Sequence, residues 1–286
     1  MRTTKRTYKD SLFRDIFNNV QRLPQVYASL EGEMVEADDI KLTTMDEIFF
    51  DSEKNDVSFI VKNHHIILLE HQSTVNANMP LRILWYIAEL YRRYVDPKSP
   101  YHSKIIALPA PKFYVFYNGR IQMPPRWQLC LSDAFGENEG AMELVVEVIN
   151  INEDAGNEIL ARCASLKSYS AFVAKVRRSV HEGKALDEAV PEAIRYCMEN
   201  DYLVEYFKEK QESEVFDMVN FQWDADLALE VRAEEAREEG LSQGMVISIR
   251  SMMENLNLTM EKAMDVLQIP AAERSKYAAL VKGVEV

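Results

Sequence analysis

The sequence predicts an α/β fold in which a mixed β-sheet is flanked by helices and followed by an all-helical C-terminal region. Short strand-like runs, separated by turn residues, fill much of the chain between residues 40 and 72. A long helical pattern and two further strand-like runs follow, and from residue 157 onward the pattern is helical. These observations predict a first domain over residues 1–150, a helical extension packed on it over 151–222, and an acidic helical tail over 223–286.

The composition indicates a globular protein. With 286 residues, 47% of them hydrophobic, the chain can bury a substantial core. No apolar run approaches the ~20 residues that span a bilayer, and the basic N-terminus lacks the apolar segment of a secretory signal. The cysteines Cys130, Cys163 and Cys197 stand far apart and are expected to be reduced thiols. We therefore expect a cytoplasmic protein with no membrane partner.

The net charge of −13 is unevenly distributed along the chain. Residues 1–130 carry 17 basic and 15 acidic side chains, whereas residues 131–286 carry 16 basic and 31 acidic ones. A surface that binds phosphate is therefore expected in the first half. The overall charge does not exclude DNA as a partner, but it predicts weak, salt-sensitive non-specific binding.

The first half is predicted to begin with two helices and to continue with short strands. Apolar residues at helical spacing predict a helix within residues 9–19, with Asp10 or Ser11 as its N-cap, and another over 23–30. Strand-like runs follow at 40–42, 47–50, 57–61 and 66–72. Tight turns between the last three predict antiparallel hairpins. Residues 66–69 are apolar on both faces, so their strand should be central in the sheet.

A long helix is predicted over residues 80–94, with Pro80 at its first position. It is apolar nearly all round except for one polar stripe: Arg82, Tyr86, Glu89 and Arg93. This pattern predicts a buried helix that directs the stripe toward a site. Two strands are predicted after it, over residues 113–117 and 144–149.

The second half is predicted to be helical. The predicted helices cover residues 158–180, 186–200, 203–210 and the region around 214–219. Gly240 and Gly244 indicate a partly detached helix, and two short helices are expected on either side of Pro270. Thr259 can cap the first of these two.

Asp56 and Glu70 are the residues whose chemistry most needs an explanation. A hairpin of the strands 57–61 and 66–72 brings Asp56 close to Glu70. Because side chains alternate along a strand, Gln72 shares the face of Glu70 and His71 points the other way. Two carboxylates beside an amide form an oxygen-rich site that suits Mg²⁺ or Mn²⁺. The alternative is that both carboxylates stay solvated at the hairpin edge.

These residues also carry a family resemblance. The matching segments are Asn55-Asp56, Glu70-His71-Gln72-Ser73, residues 78–82, Tyr86-Ile87, Tyr117-Asn118-Gly119, residues 131–135 and residues 238–240. Together they resemble the PD-(D/E)XK nuclease superfamily, and more narrowly the recombination-promoting nuclease / putative transposase family, in which E-H-Q-S is a hallmark. The resemblance implies a restriction-endonuclease-like fold for residues 1–150.

The resemblance also implies roles for individual residues. Asp56 and Glu70 occupy the metal-binding positions, and the backbone carbonyl of His71 would be a third ligand. Gln72 stands where the superfamily has a catalytic lysine, although glutamine is usual in the closer family. It can hydrogen-bond a water but cannot deprotonate it. The superfamily often adds an acidic residue from its first helix, for which Asp10 and Asp15 both remain candidates.

Two neighbouring residues are candidates for substrate binding. Ser73 completes the E-H-Q-S motif. Arg82 lies at the start of a predicted helix, where it could hold a phosphate together with the helix dipole. The alternative for Arg82 is an ion pair with Glu70 or Glu89.

The activity implied by the resemblance is Mg²⁺- or Mn²⁺-dependent cleavage of DNA phosphodiester bonds, in recombination, transposition or defence against foreign DNA. The loss of the lysine and the acidic second half favour a second reading: a catalytically inactive nuclease fold that acts as an interaction or oligomerisation module through its C-terminal helices. A third reading is a metal-dependent hydrolase that acts on RNA or nucleotides. Metal binding separates the first reading from the second.

Overall fold

The computed structural model describes residues 12–44, 56–136, 140–270 and 273–281. The chain forms two compact units, Met1–Trp223 and Asp224–Val286. The predicted division at residues 150 and 222 into three parts stays a prediction. The predicted strand over 47–50 and the cap at Asp10 or Ser11 lie outside the described residues. Within the described ranges, no helix is both long enough and apolar enough to cross a membrane.

The first unit contains a mixed sheet, which confirms the predicted fold class. Its described strands are β1 (Ile40–Leu42), β2 (Val57–Val61), β3 (His65–Gln72), β4 (Ala110–Tyr117), β5 (Arg126–Cys130) and β6 (Val145–Asn150). They are arranged in the order β1-β2-β3-β4-β6-β5. β3, β4 and β6 run parallel to one another, whereas β1, β2 and β5 pair antiparallel with their neighbours. β3 is central, as its two apolar faces predict.

The turn between β2 and β3 fixes the register of the hairpin. Lys62 and Asn63 both have positive φ angles, of 48° and 57°, and the His64 N–H donates to the Val61 carbonyl at 2.9 Å. Two such residues in succession match the right-handed twist of paired strands. The resulting register places Val57 opposite Leu69, so the residue before β2 lies next to Glu70.

Helices cover both faces of the sheet. The described helices of the first unit are α1 (Leu12–Phe17), α2 (Leu23–Glu31), α3 (Met79–Tyr94), α4 (Ile159–Arg162), α5 (Ala164–His181), α6 (Leu186–Glu199), α7 (Val204–Glu209) and the start of α8 (Glu212–Leu256). One hydrophobic core joins α1, α2 and α4–α8 to the sheet face of Ile67 and Leu69. A second joins α3 to the opposite face, which carries Ile66 and Leu68. The alternation of β3 thus divides its side chains between two cores.

Three helix boundaries differ from the predictions. α3 begins at Met79, so Pro80 is its second residue. The predicted helix over 158–180 is two helices, because Cys163 adopts an extended conformation with φ −127° and ψ 99°. The predicted short helix around 214–219 is part of the 45-residue α8, which continues through Gly240 and Gly244.

The prediction that α3 is buried nearly all round is wrong. Leu81 is 37% exposed and Trp85 is 47% exposed. These residues and Ala88 follow one another at helical spacing on the side that faces solvent. The reason is that α3 covers one face of the sheet as a single layer, so its outer side has no apolar partner among the described residues.

The second unit, residues 224–286, has a small core of its own. Ile249 of α8 packs with Ala263 and Met264 of α9 (Met260–Val266), with Ile269, and with Tyr277 of α10 (Arg274–Val281). Thr259 caps α9, because its hydroxyl accepts the Lys262 N–H at 3.4 Å. The two short helices on either side of Pro270 are therefore confirmed.

Candidate metal and nucleic-acid site

The carboxyl ends of three parallel strands meet at one edge of the sheet. Gln72 at the end of β3 is in register with Tyr117 of β4, and Tyr117 with Asn150 of β6. In open α/β sheets, ligands bind at this edge, where the residues after each strand are neighbours. The sequence-predicted site residues of β3 and the segment Asn118-Gly119 therefore share one end of the sheet.

Asp56 and Glu70 are brought together at this edge. The Asp56 backbone N–H donates to Glu70 Oε1 at 3.2 Å. The Asp56 carboxylate in turn accepts the His71 backbone N–H, with Oδ2 at 2.7 Å. The N–H and C=O of one strand residue point to the same side, so the His71 carbonyl is also directed toward the β2 side of the strand. The structure thus places all three predicted metal-binding groups on adjoining positions.

Glu70 is a buried carboxylate, with 3% of its surface exposed. The Nη2 atom of Arg82 lies 3.9 Å from Glu70 Oε2. The same nitrogen donates a hydrogen bond to the Tyr86 hydroxyl at 2.9 Å. The ion-pair alternative for Arg82 is therefore the arrangement seen, with Glu70 as the partner. Glu89 instead pairs with Arg93 and Arg92.

His71 points to the opposite face of the sheet from Glu70, as the alternation of side chains predicts. Its ring stacks on Phe13 of α1, with ring centroids 5.0 Å apart, and its Nε2 lies 3.1 Å from the Tyr169 hydroxyl of α5. Burial, with a smaller contribution from the positive charge of Arg177, lowers the pKa of His71 to about 3. The imidazole is therefore neutral at pH 7, and its position fixes the backbone that carries the carbonyl.

Gln72 and Ser73 continue the strand end. The Gln72 side-chain amide contacts the Met79 sulfur at 4.0 Å, on the α3 side of the sheet. The Gln72 carbonyl accepts the Asn118 N–H at 2.9 Å. Ser73 lies so close to Gly119 that a Cβ added to Gly119 would sit 2.0 Å from the Ser73 carbonyl oxygen.

The donor set fits a hard divalent cation that keeps part of its water shell. In the part of the chain that the structure describes, no group of three or more His, Cys, Asp or Glu side chains could hold a metal ion. The site offers two carboxylates and a backbone carbonyl instead. Mg²⁺ is usually bound in this way, by one or two carboxylates together with waters and substrate phosphates.

Asp10 and Asp15 are the two candidates for an additional acidic ligand. The carboxylate of Asp15 accepts the Tyr206 hydroxyl at 2.7 Å and pairs with Lys210 at 2.9 Å. These contacts give Asp15 a role in holding α1 against α7. Asp10 lies outside the described residues.

Four polar residues near this edge had no assigned role from the sequence. Arg177 of α5 donates to the side-chain and backbone oxygens of Asn118 and, at 3.3 Å, to the Asn152 side-chain oxygen. The Asn150 Oδ1 accepts the Asn152 side-chain amide at 2.9 Å. One signal for this cluster was present in the sequence, the asparagines at strand ends. It did not show the contact between Asn118 and Arg177, because residues 59 positions apart form no local pattern.

Most of the chain matches a known protein family. The family described as "Putative transposase, YhgA-like" matches residues 7–194. The chain belongs to this family. YhgA-like transposases form part of the PD-(D/E)XK-like group, so the predicted resemblance is confirmed. Neither the curated proteins nor the solved structures contain a significant match to the chain. Membership of the YhgA-like family indicates a role that acts on DNA in transposition.

Proposed function

We propose that the chain is a metal-dependent endonuclease that hydrolyses DNA phosphodiester bonds at the site of Asp56 and Glu70. The observation that carries the proposal is the convergence of these carboxylates, linked through backbone N–H groups at 3.2 and 2.7 Å, at the edge where parallel strands end. Each of the two acids thereby helps to position the other's segment. The YhgA-like family supports DNA as the substrate.

The carboxylates of Asp56 and Glu70 and the carbonyl of His71 would hold Mg²⁺ or Mn²⁺. A divalent ion bound there lowers the pKa of water and stabilises the charge that develops on a phosphoryl group. The protein residues supply the remaining functions. The Gln72 amide orients the attacking water by hydrogen bonding, and Arg82 is near enough to Glu70 to donate to a phosphate oxygen beside it. Ser73 would contact the substrate strand.

The reaction is a hydrolysis. The water oxygen attacks phosphorus in line with the leaving 3′ oxygen, the P–O3′ bond breaks, and the 3′ oxygen takes a proton. The products are a 5′-phosphate and a 3′-hydroxyl. Because Gln72 cannot accept the proton that the water loses, that proton passes to solvent. Asp56, Glu70 and the His71 carbonyl would hold the metal ion whose charge would replace the activation that lysine provides in the wider superfamily.

A second candidate function is a non-catalytic interaction module. Glutamine in place of lysine favours it, as does the acidic second half of the chain. In this alternative the C-terminal helices serve homo-oligomerisation or partner binding. The presence of both carboxylates, Asp56 and Glu70, at the converging positions opposes it, which is why we favour the nuclease.

The test is cleavage of supercoiled plasmid with Mg²⁺ or Mn²⁺. Asp56→Asn and Glu70→Gln each remove a charge but keep an oxygen that can accept the same backbone N–H. Glu158→Gln is the matched control, since Glu158 is an exposed glutamate at the start of α4. We expect metal-dependent nicking by wild type and by the control, and a loss of about 100-fold or more in both site variants.

Three outcomes are distinguishable. Nicking that persists in Asp56→Asn and Glu70→Gln would refute the site. A folded wild-type protein that is inert on DNA and binds no metal would favour the interaction module. Cleavage of RNA in preference to DNA would reassign the substrate.

A further inference from the structure

A cavity of about 1110 Å³ opens at the same sheet edge, next to the strand end of β4. Its walls come from the loop after β4, the end of β6 and the last turns of α5. The residues that matter to its chemistry are Gly119, Arg120, Asn152, Arg177, Arg178 and His181. All of them belong to the first unit of the chain.

The cavity is rich in arginine. Arg120 contributes from the loop, and Arg177 and Arg178 from α5. Glu153 and Asp154 also line it, and Arg178 lies 4.0 Å from Glu153. Three guanidinium groups against two carboxylates, in a chain whose net charge is −13, make this a locally basic site.

Arg177 is held in a fixed orientation. Its hydrogen bonds to Asn118 and Asn152 use three amide oxygens. The asparagines are themselves fixed, because Asn118 and Asn150 are almost fully buried and Asn152 donates to the Gly119 carbonyl at 3.1 Å. A guanidinium whose orientation is set in advance binds phosphate with less loss of side-chain entropy.

Hydrogen bonds join the wall of the cavity to the strand that carries Glu70. The Gln72 carbonyl accepts the Asn118 N–H, and Arg177 donates to the Asn118 carbonyl, so two hydrogen bonds link Arg177 to the strand of Glu70. Gly119, which lines the cavity, lies against the Ser73 carbonyl. One DNA strand carries a phosphate about every 3.4 Å along the helix axis. A strand cleaved at Glu70 therefore carries further phosphates on either side of the scissile one.

We propose that this cavity is a second DNA-binding subsite, in which Arg177 binds a backbone phosphate next to the scissile one and Arg120 and Arg178 at the rim bind the same strand. The inference rests on the proposed function for its substrate and extends it, because it assigns DNA affinity to residues outside the metal site. It also gives a reason for the buried asparagine network, which orients the central arginine.

The test is the affinity of the full chain for a fluorescently labelled DNA duplex, measured by anisotropy in EDTA so that no cleavage occurs. Arg120→Gln and Arg178→Gln change exposed residues and should not disturb folding. We expect each to weaken binding by about tenfold, which corresponds to the loss of one charge-assisted hydrogen bond. Each should also reduce the slope of log Kd against log salt by about 1.

The matched control is Arg162→Gln, which removes an exposed arginine of α4 that pairs with Glu158. Arg177→Lys is a second probe, because it keeps the charge but loses the planar fork, so that affinity should fall with little change in the salt slope. Arg178 lies in the last turn of α5, where a positive charge interacts favourably with the helix dipole. If this were its only role, Arg178→Gln would change stability and leave DNA affinity unchanged.

The proposal is overturned if the cavity variants bind the duplex like Arg162→Gln, or if wild type does not bind it. The two proposals can fail separately. Cleavage at the Asp56 site with unchanged affinity in the cavity variants would reject the subsite alone. Weakened binding in those variants, with no cleavage by wild type in Mg²⁺ or Mn²⁺, would reject the nuclease and keep the subsite.

Discussion

A carboxylate as deeply buried as that of Glu70 destabilises a fold unless other groups compensate its charge. The Asp56 N–H donates to one of its oxygens, and Arg82 lies 3.9 Å from the other. The Asp56 carboxylate adds a second negative charge nearby, and like charges at short distance repel each other. A divalent cation bound to both carboxylates is therefore expected to stabilise the folded protein.

His71 gives the first prediction at the residue scale. Its folded-state pKa of about 3 lies below the ordinary value of 6.5. As the pH falls through 6.5, the unfolded state therefore takes up a proton before the folded state does, and stability is lost progressively down to about pH 3. The free energy of unfolding should decrease by up to about 2 kcal/mol between pH 8 and pH 5 through this group alone.

The measurement is urea unfolding at pH 8 and pH 5, in EDTA, for wild type and His71→Asn. Other groups titrate in both proteins, so the comparison is of the two pH dependences. The variant should lose less stability on acidification than wild type. Equal losses in the two proteins would show that the imidazole is not buried in its neutral form.

At the scale of elements, the close contact between Gly119 and Ser73 joins the ends of β3 and β4. A Cβ at position 119 would lie 2.0 Å from the Ser73 carbonyl oxygen and 2.3 Å from the Tyr117 hydroxyl. Because one of these atoms belongs to the backbone, a substitution must shift the strand end itself. Glycine is therefore required here by space, and the shape of the candidate site depends on it.

Gly119→Ala should lower the free energy of unfolding by about 1–3 kcal/mol, the usual cost of overpacking. Gly240→Ala is the control, because its Cβ would meet nothing within 4 Å and alanine favours the helix by up to about 1 kcal/mol. Denaturant unfolding of both variants checks this. A Gly119→Ala protein as stable as wild type would mean that the two strand ends are not in close contact.

The sequence predicted the strands that show a clear run of apolar residues between turn residues. β1 and β2 have their predicted bounds, and β3 differs by one residue, because strand-like runs and turn residues alternate there. β5 was not predicted, since Arg126–Cys130 is a partly exposed edge strand with a weak apolar pattern. The exposed side of α3 was also missed. An apolar residue in a sequence does not show whether another layer will cover it.

The candidate site was also predicted only in part from the sequence. The convergence of Asp56 and Glu70 follows from a hairpin that the sequence predicts. The contact between Asn118 and Arg177 does not, because it depends on where α5 crosses the sheet edge. For the same reason the sequence could not reveal that Asp15 is engaged by Tyr206 and Lys210.

At the scale of the whole molecule, the chain combines a mixed-sheet unit that carries the candidate site with a C-terminal unit that has its own small core. Most of the negative charge lies in the second half of the sequence, whereas Asp56, Glu70 and Arg82 lie in the nearly balanced first half. An acidic chain attracts divalent cations weakly at many places. A specific metal site is therefore recognised by comparing a variant of the site with a variant of an exposed carboxylate.

The most direct measurement is calorimetric titration of Mn²⁺ into wild type, Glu70→Gln and the exposed-glutamate control Glu158→Gln. We expect a saturable site in wild type and in the control, and an affinity about tenfold or more lower in Glu70→Gln, since one of the two proposed carboxylate ligands is lost. Equal binding by all three proteins, or no saturable binding by wild type, would show that Asp56 and Glu70 do not form a metal site.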